Sequence, residues 1–136
     1  MIYYPLFLDL NGKPVVVVGA GKVGLRKTKA LLEAGARVTV VSPSCAAEFE
    51  ALPVKLIRRA FRLSDIGDAY LAYAATNCRE VNQRVAREAK RLRVPVNVAD
   101  DPLTAVVRGL GFLLDNQALL KEVAVPSTNV DSGVKI

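Results

Sequence analysis

Gly19-Ala20-Gly21-Lys22-Val23-Gly24 has the residue types and spacing of a phosphate cradle. This G-x-G-x-x-G run follows an apolar strand-like segment and opens a helix-like one, the context in which the motif has a mechanism. Gly19 permits the tight turn, Gly21 lets a pyrophosphate approach the backbone, and Gly24 lets the helix pack closely on the strand. The helix start at Lys22 and Val23 offers free N–H groups and the positive end of the dipole. It is not a P-loop, because Leu25 follows Gly24. A glycine turn serving packing alone would use the same residues. The cations Arg26, Lys27 and Lys29 follow closely, either as a solvated face or near a phosphate.

Three further places carry candidate chemistry. The second strand of a dinucleotide site normally ends in an acid that holds the ribose. Here the segment is Val41-Ser42-Pro43. Ser42 can hydrogen-bond a ribose beside Pro43, yet it sets no charge preference, so both NAD and NADP remain open. Ala74-Ala75-Thr76-Asn77 ends a fourth strand, where small residues admit a cofactor and Thr76 and Asn77 offer hydrogen bonds. Asn77 also reads as the N-cap of the next helix. Asp100 and Asp101 follow a fifth strand at the same crevice edge. A carboxylate there can take a proton as a hydride leaves a substrate, and Asp101-Pro102 reads equally as a turn with Asp100 capping backbone donors.

These residues need a frame that brings strand ends together. Val15–Val18 reads as a fully buried strand. Lys22–Ala34 reads as an amphipathic helix, capped by Gly35. Arg37–Val41 is the next strand, stopped by Pro43, and Ser44–Leu52 a short helix with Ser44 as N-cap. Lys55–Arg58 and Ala69–Ala75 are further strands. Arg79–Leu92 is a helix with Val81, Val85, Ala89 and Leu92 on one face, and Pro95–Val98 is a fifth strand. Alternating strands and helices predict a Rossmann-like doubly wound parallel α/β sheet of order 3-2-1-4-5. Residues 1–102 form the dinucleotide-binding domain in this reading. Residues 103–136 lack a β-α rhythm and read as a short tail or dimerisation segment, which makes a homodimer the expected assembly.

Composition narrows the field. The chain has 136 residues, about half of them hydrophobic, which suits one globular domain. It has no histidine, which removes His-based zinc sites and Ser-His-Asp or Cys-His catalysis within it. Cys45 and Cys78 are too few for a four-cysteine metal site and are expected as free thiols. No apolar run is long enough to span a membrane and no signal peptide is recognisable, so the expected address is the cytoplasm. The net charge is +6, with all the excess within residues 1–102. Such a field suits nucleic acid, an acidic membrane or a polyanionic small molecule, and charge alone does not choose among them. The basic run Arg79–Arg93 lacks interleaved aromatics or a known binding motif, which argues against nucleic acid.

Together these motifs resemble a known family. Tyr4-Pro5-Leu6-Phe7-Leu8-Asp9-Leu10, Gly12-Lys13, the glycine motif, Arg26-Lys27 and Leu31-Leu32-Glu33-Ala34-Gly35-Ala36 are similar to the amino-terminal module of siroheme synthases. So are Ala74-Ala75-Thr76-Asn77, Val81-Asn82 and Asn97-Val98-Ala99-Asp100. This is the precorrin-2 dehydrogenase and sirohydrochlorin ferrochelatase family. The resemblance runs over residues 3–102 and weakens beyond, where Val123-Ala124-Val125-Pro126-Ser127-Thr128 stands in for a serine motif without its paired glycines. Asn77-Cys78 replaces a more acidic family pair.

The resemblance implies NAD-dependent oxidation of precorrin-2 to sirohydrochlorin, with ferrous iron insertion in some members. It puts the family's catalytic aspartate at Asp100 and implies a tetrapyrrole polycarboxylate as substrate. The competing expectation is a non-catalytic NAD(P)-binding module, a sensor or a subunit needing a partner.

Overall fold

The computed structural model describes residues 4–99, and Leu8–Ala99 forms one compact unit. Five parallel strands lie in the order β3-β2-β1-β4-β5, as the alternating pattern predicts. They are β1 (Pro14–Ala20), β2 (Arg37–Cys45), β3 (Lys55–Ile57), β4 (Leu71–Ala74) and β5 (Val96–Val98). Helix α1 (Lys22–Glu33) joins β1 to β2, and α2 (Arg79–Arg91) joins β4 to β5. No helix among the described residues is long and apolar enough to cross a membrane.

The centre of the sheet follows from the valines of β1. Val15–Val18 are all buried, as a strand with neighbours on both edges and layers on both faces must be. Side chains alternate across a strand. Val15 and Val17 therefore pack with Leu31 of α1, Val38, Val40, Phe49 and Leu71. Val16 and Val18 pack on the opposite face with Val85 and Ala89 of α2, Phe61, Ile66 and Ala72. The β3-to-β4 connection carries no α-helix; it is a chain with a 3-10 turn at Leu63–Asp65. Phe61 and Ile66 anchor it in the core. Arg59 donates to both Asp65 oxygens at 2.9 and 2.7 Å, and Asp65 also accepts the Arg62 N–H. Those bonds, with the Arg59 guanidinium first among them, hold the Asp65 carboxyl below the usual carboxylate range.

Two expectations are corrected. Pro43 does not stop β2, which continues to Cys45. Strand β3 pairs only with Thr39–Val41, and the β1 pairing shifts register between Val18↔Val41 and Ala20↔Cys45. Pro43 falls in that irregularity, where no ladder bond needs its missing N–H. The expected helix over Ser44–Leu52 is a 3-10 turn at Ala47–Ala51, with Ala46 in the cap position. The hydroxyl that Ser44 would lend to a cap is not used so; the Ser44 backbone turns instead on Ser42. Elsewhere the boundaries move by one or two residues. The α1 terminus closes as expected around Gly35, with Gly35 N donating to Leu32 O and Ala36 N to Leu31 O.

Candidate functional site

The strand order reverses between β1 and β4, and in such sheets ligands bind beyond the carboxyl ends of the strands at that point. The glycine turn sits there. Strand β1 ends at Ala20 and α1 begins at Lys22 with Gly21 as N-cap. No side chain caps this end and its first turn holds no acid. The leading N–H groups of a helix have no intrahelical partner, so Lys22, Val23 and Gly24 present donors and a positive dipole end to an anion.

The three glycines have different surroundings. A Cβ on Gly19 would lie 2.5 Å from Ala75 O and 2.9 Å from Thr76 N, and its φ of +116° disfavours any other residue. A Cβ on Gly24 would lie 2.2 Å from Gly19 O, so α1 rests directly on the turn. A Cβ on Gly21 would meet nothing within 4 Å. Two glycines therefore serve close packing within the protein, and the third borders open space beside the helix N-terminus. That is the fit a pyrophosphate requires.

The basic cluster of α1 divides. Lys22, Arg26 and Lys29 are exposed, whereas Lys27 is buried and its Nζ lies 5.6 Å from the Tyr73 ring centroid, over β4. The end of β2 adjoins the same turn through Ala46 N, which donates to Ala20 O at 2.9 Å. Ser42 is buried there, and its hydroxyl donates to Ser44 O at 2.8 Å. Its proton is thus engaged within its own turn, leaving acceptor capacity only. Pro43 is exposed.

At the β4 end, Thr76 proves to be held rather than free. Its hydroxyl donates to Asn82 Oδ1 at 2.6 Å, and its backbone N–H donates to the same oxygen at 3.1 Å. Asn82 Nδ2 returns a bond to Thr76 O at 2.9 Å and reaches Ala99 O at 3.4 Å. Asn77 is exposed. It is not the N-cap of α2, a correction to the expectation: Cys78 holds that position without a side-chain cap bond. The Cys78 N–H instead donates to Thr76 Oγ1 at 3.1 Å, so the threonine satisfies the N-cap N–H from two residues earlier. Both cysteines are free. Asn82 is the residue that sequence reasoning missed as a site element. An asparagine at helical spacing from Val85 and Ala89, on the apolar face of a basic helix, was the available signal.

Strand β5 ends beside β4, with Ala99 N donating to Ala74 O at 2.7 Å. Asp100, the expected proton acceptor, lies outside the described residues, as does the segment 103–136. Among the described residues no group of three or more His, Cys, Asp or Glu could hold a metal ion.

A family model described as "Putative NAD(P)-binding" matches residues 6–107. A siroheme synthase of Nitrosospira multiformis is 44% identical over 110 residues, spanning 75% of this chain and 23% of that protein. Siroheme synthase 2 of Aeromonas salmonicida is 45% identical over 105 residues, spanning 75% of this chain and 22% of that one. The chain thus covers under a quarter of the curated relatives' length. The solved structure of SirC, precorrin-2 dehydrogenase, matches with a TM-score of 0.63 at 30% identity, covering 73% of this chain and 50% of that chain.

Proposed function

This chain belongs to that NAD(P)-binding family, alongside siroheme synthases and precorrin-2 dehydrogenase, and from that premise we propose that it oxidises precorrin-2 to sirohydrochlorin with NAD. The observation that carries the reading is the uncapped, acid-free helix start at Gly21, open on the side where a phosphate would arrive.

In this proposal the backbone of Gly19, Gly21, Lys22, Val23 and Gly24 holds the pyrophosphate. Ser42 and Pro43 flank the adenosine ribose, and Ser42 Oγ accepts a ribose hydroxyl proton, since its own proton is engaged with Ser44. Thr76 and Asn77 bound the nicotinamide end. The bound cofactor supplies a hydride acceptor. The substrate then has a proton to release, and Asp100 takes it. The exposed cations Lys22, Arg26 and Lys29 suit a polycarboxylate substrate by charge. Iron insertion would ask the same carboxylate to remove pyrrole protons, with ferrous iron as a substrate. A homodimer built through residues 103–136 and a cytoplasmic setting complete the proposal.

The test is anaerobic NADH formation from precorrin-2 by purified protein, with NADP in a parallel assay. Turnover that Asp100→Asn abolishes supports the dehydrogenase. NAD binding without turnover, in folded protein, replaces it with a non-catalytic module.

A further inference from the structure

We propose that Asn82 is a positioning residue for the nicotinamide half of the cofactor, holding the β4 and β5 rims at a set spacing through its side-chain amide. This rests on the NAD-binding reading above.

The hydrogen bonding is complete. A carboxamide has two acceptor sites and two donors. Asn82 Oδ1 takes the Thr76 N–H and hydroxyl, while Nδ2 serves Thr76 O and Ala99 O. The side chain itself is buried, at 4% exposure, which strengthens its bonds to the half-buried Thr76 and Ala99. Its partners sit on two different strand ends. Thr76 follows β4 and Ala99 follows β5, the residue before the proposed proton acceptor Asp100.

The clamp also reaches the phosphate turn. The Ala75-Thr76 peptide lies against Gly19 so closely that a Cβ there would meet Ala75 O and Thr76 N. The clamp thus borders the turn at Gly19 only, away from Gly21, where nothing lies within 4 Å of a Cβ and the phosphates would enter. The adenosine half of a dinucleotide belongs to the β1–β2 side of the switch point, and the clamp lies on the other side. Its loss should separate the two halves energetically.

The experiment compares NAD with ADP, which lacks the nicotinamide half, by titration calorimetry on the full chain. The variants are Asn82→Ala, and Asn82→Asp, which keeps shape and acceptors but loses both donors. The expected result for Asn82→Ala is a loss of about tenfold or more in NAD affinity with ADP affinity held within about twofold. Asn82→Asp should also fall below wild type, since its carboxylate oxygen faces Thr76 O and Ala99 O with no donor between them, and the carbonyl 13C signal of Ala99 should move. If Asn82→Ala does not fold, Asn82→Asp decides the question alone. A clamp that served stability only would lower Tm while leaving both affinities alone, or lower both in parallel. Either pattern overturns the proposal. Wild-type protein that binds NAD but leaves precorrin-2 unoxidised sinks the dehydrogenase and leaves this comparison standing. Wild-type protein that turns over, with NAD affinity unmoved in both variants, sinks the role of Asn82 alone.

Discussion

Replacing Gly21 by alanine should separate cofactor binding from folding. The site has φ −91° and ψ −156°, an extended conformation open to any residue. A Cβ there meets nothing within 4 Å, so the protein itself has no objection. Removing a glycine also reduces the freedom of the unfolded chain by about 0.5 kcal/mol, and the poorer fit of alanine than glycine at an N-cap offsets this by a similar amount, which predicts little net change in stability. The methyl instead occupies the space a pyrophosphate would take beside the first turn of α1. Charge-assisted bonds to such N–H groups contribute about 1.5–3 kcal/mol each. Losing one, with partial loss of a second, costs about 2–3 kcal/mol, or about 30- to 150-fold in Kd.

Gly24→Ala is the contrast. Its Cβ would stand 2.2 Å from Gly19 O, roughly 1 Å inside van der Waals contact. Overpacking of this kind costs about 1–3 kcal/mol, more than the helix preference of alanine over glycine, about 1 kcal/mol, returns. That variant should lose both stability and affinity. Urea unfolding without ligand and calorimetric titration of NAD measure the two quantities. Gly21→Ala protein that binds NAD like wild type would refute the placement of the phosphate over Gly21. A large loss of its stability would refute the reading of open space.

Three further outcomes follow from residues away from the cradle. Arg93 ends α2 in the left-handed region at φ +61°, so Arg93→Gly should stabilise the protein by up to about 1 kcal/mol, read as a rise in Tm. Thr28 is fully buried on α1 and its hydroxyl has no hydrogen-bond partner among the described residues; Thr28→Val should raise stability by about 1 kcal/mol in urea unfolding. Asp65, depressed by its bonds from Arg59, contributes stability that is fully present above the ordinary aspartate pKa of about 3.9 and is lost as pH falls through its lower folded value. Asp65→Asn should cost about 2 kcal/mol at neutral pH and flatten the acid limb of the stability curve, and an unchanged limb would contradict the assignment.

Local chemistry made the frame legible in the sequence. Four consecutive β-branched residues without polar alternation favour a strand covered on both faces, and a glycine run between that strand and an amphipathic helix suits a phosphate cradle or a packing turn. The strand order then followed from the alternation of strands and helices. The chain alone also marked Thr76 and the Ser42 segment as rim residues, because they end apolar strands. What it could not supply is which atoms are already taken. Ser42 and Thr76 both carry free-looking hydroxyls on paper, and only the fold engages one with Ser44 and the other with Asn82. Pro43 reads as a stop signal until the register of β1 against β2 reveals a place that needs no donor. Motif position assigns each of the three glycines a task, but not the atoms that enforce it. Tertiary contact distinguishes them, since Ala75 and the Gly19 carbonyl crowd two of them and nothing crowds the third. Sequence acts through neighbours along the chain, so it determined most of the elements and, within one or two residues, their ends; β2 and the 3-10 turn after it are the exceptions. The division of hydrogen bonds and space among those ends depends on residues dozens of positions apart, and only packing brings them together.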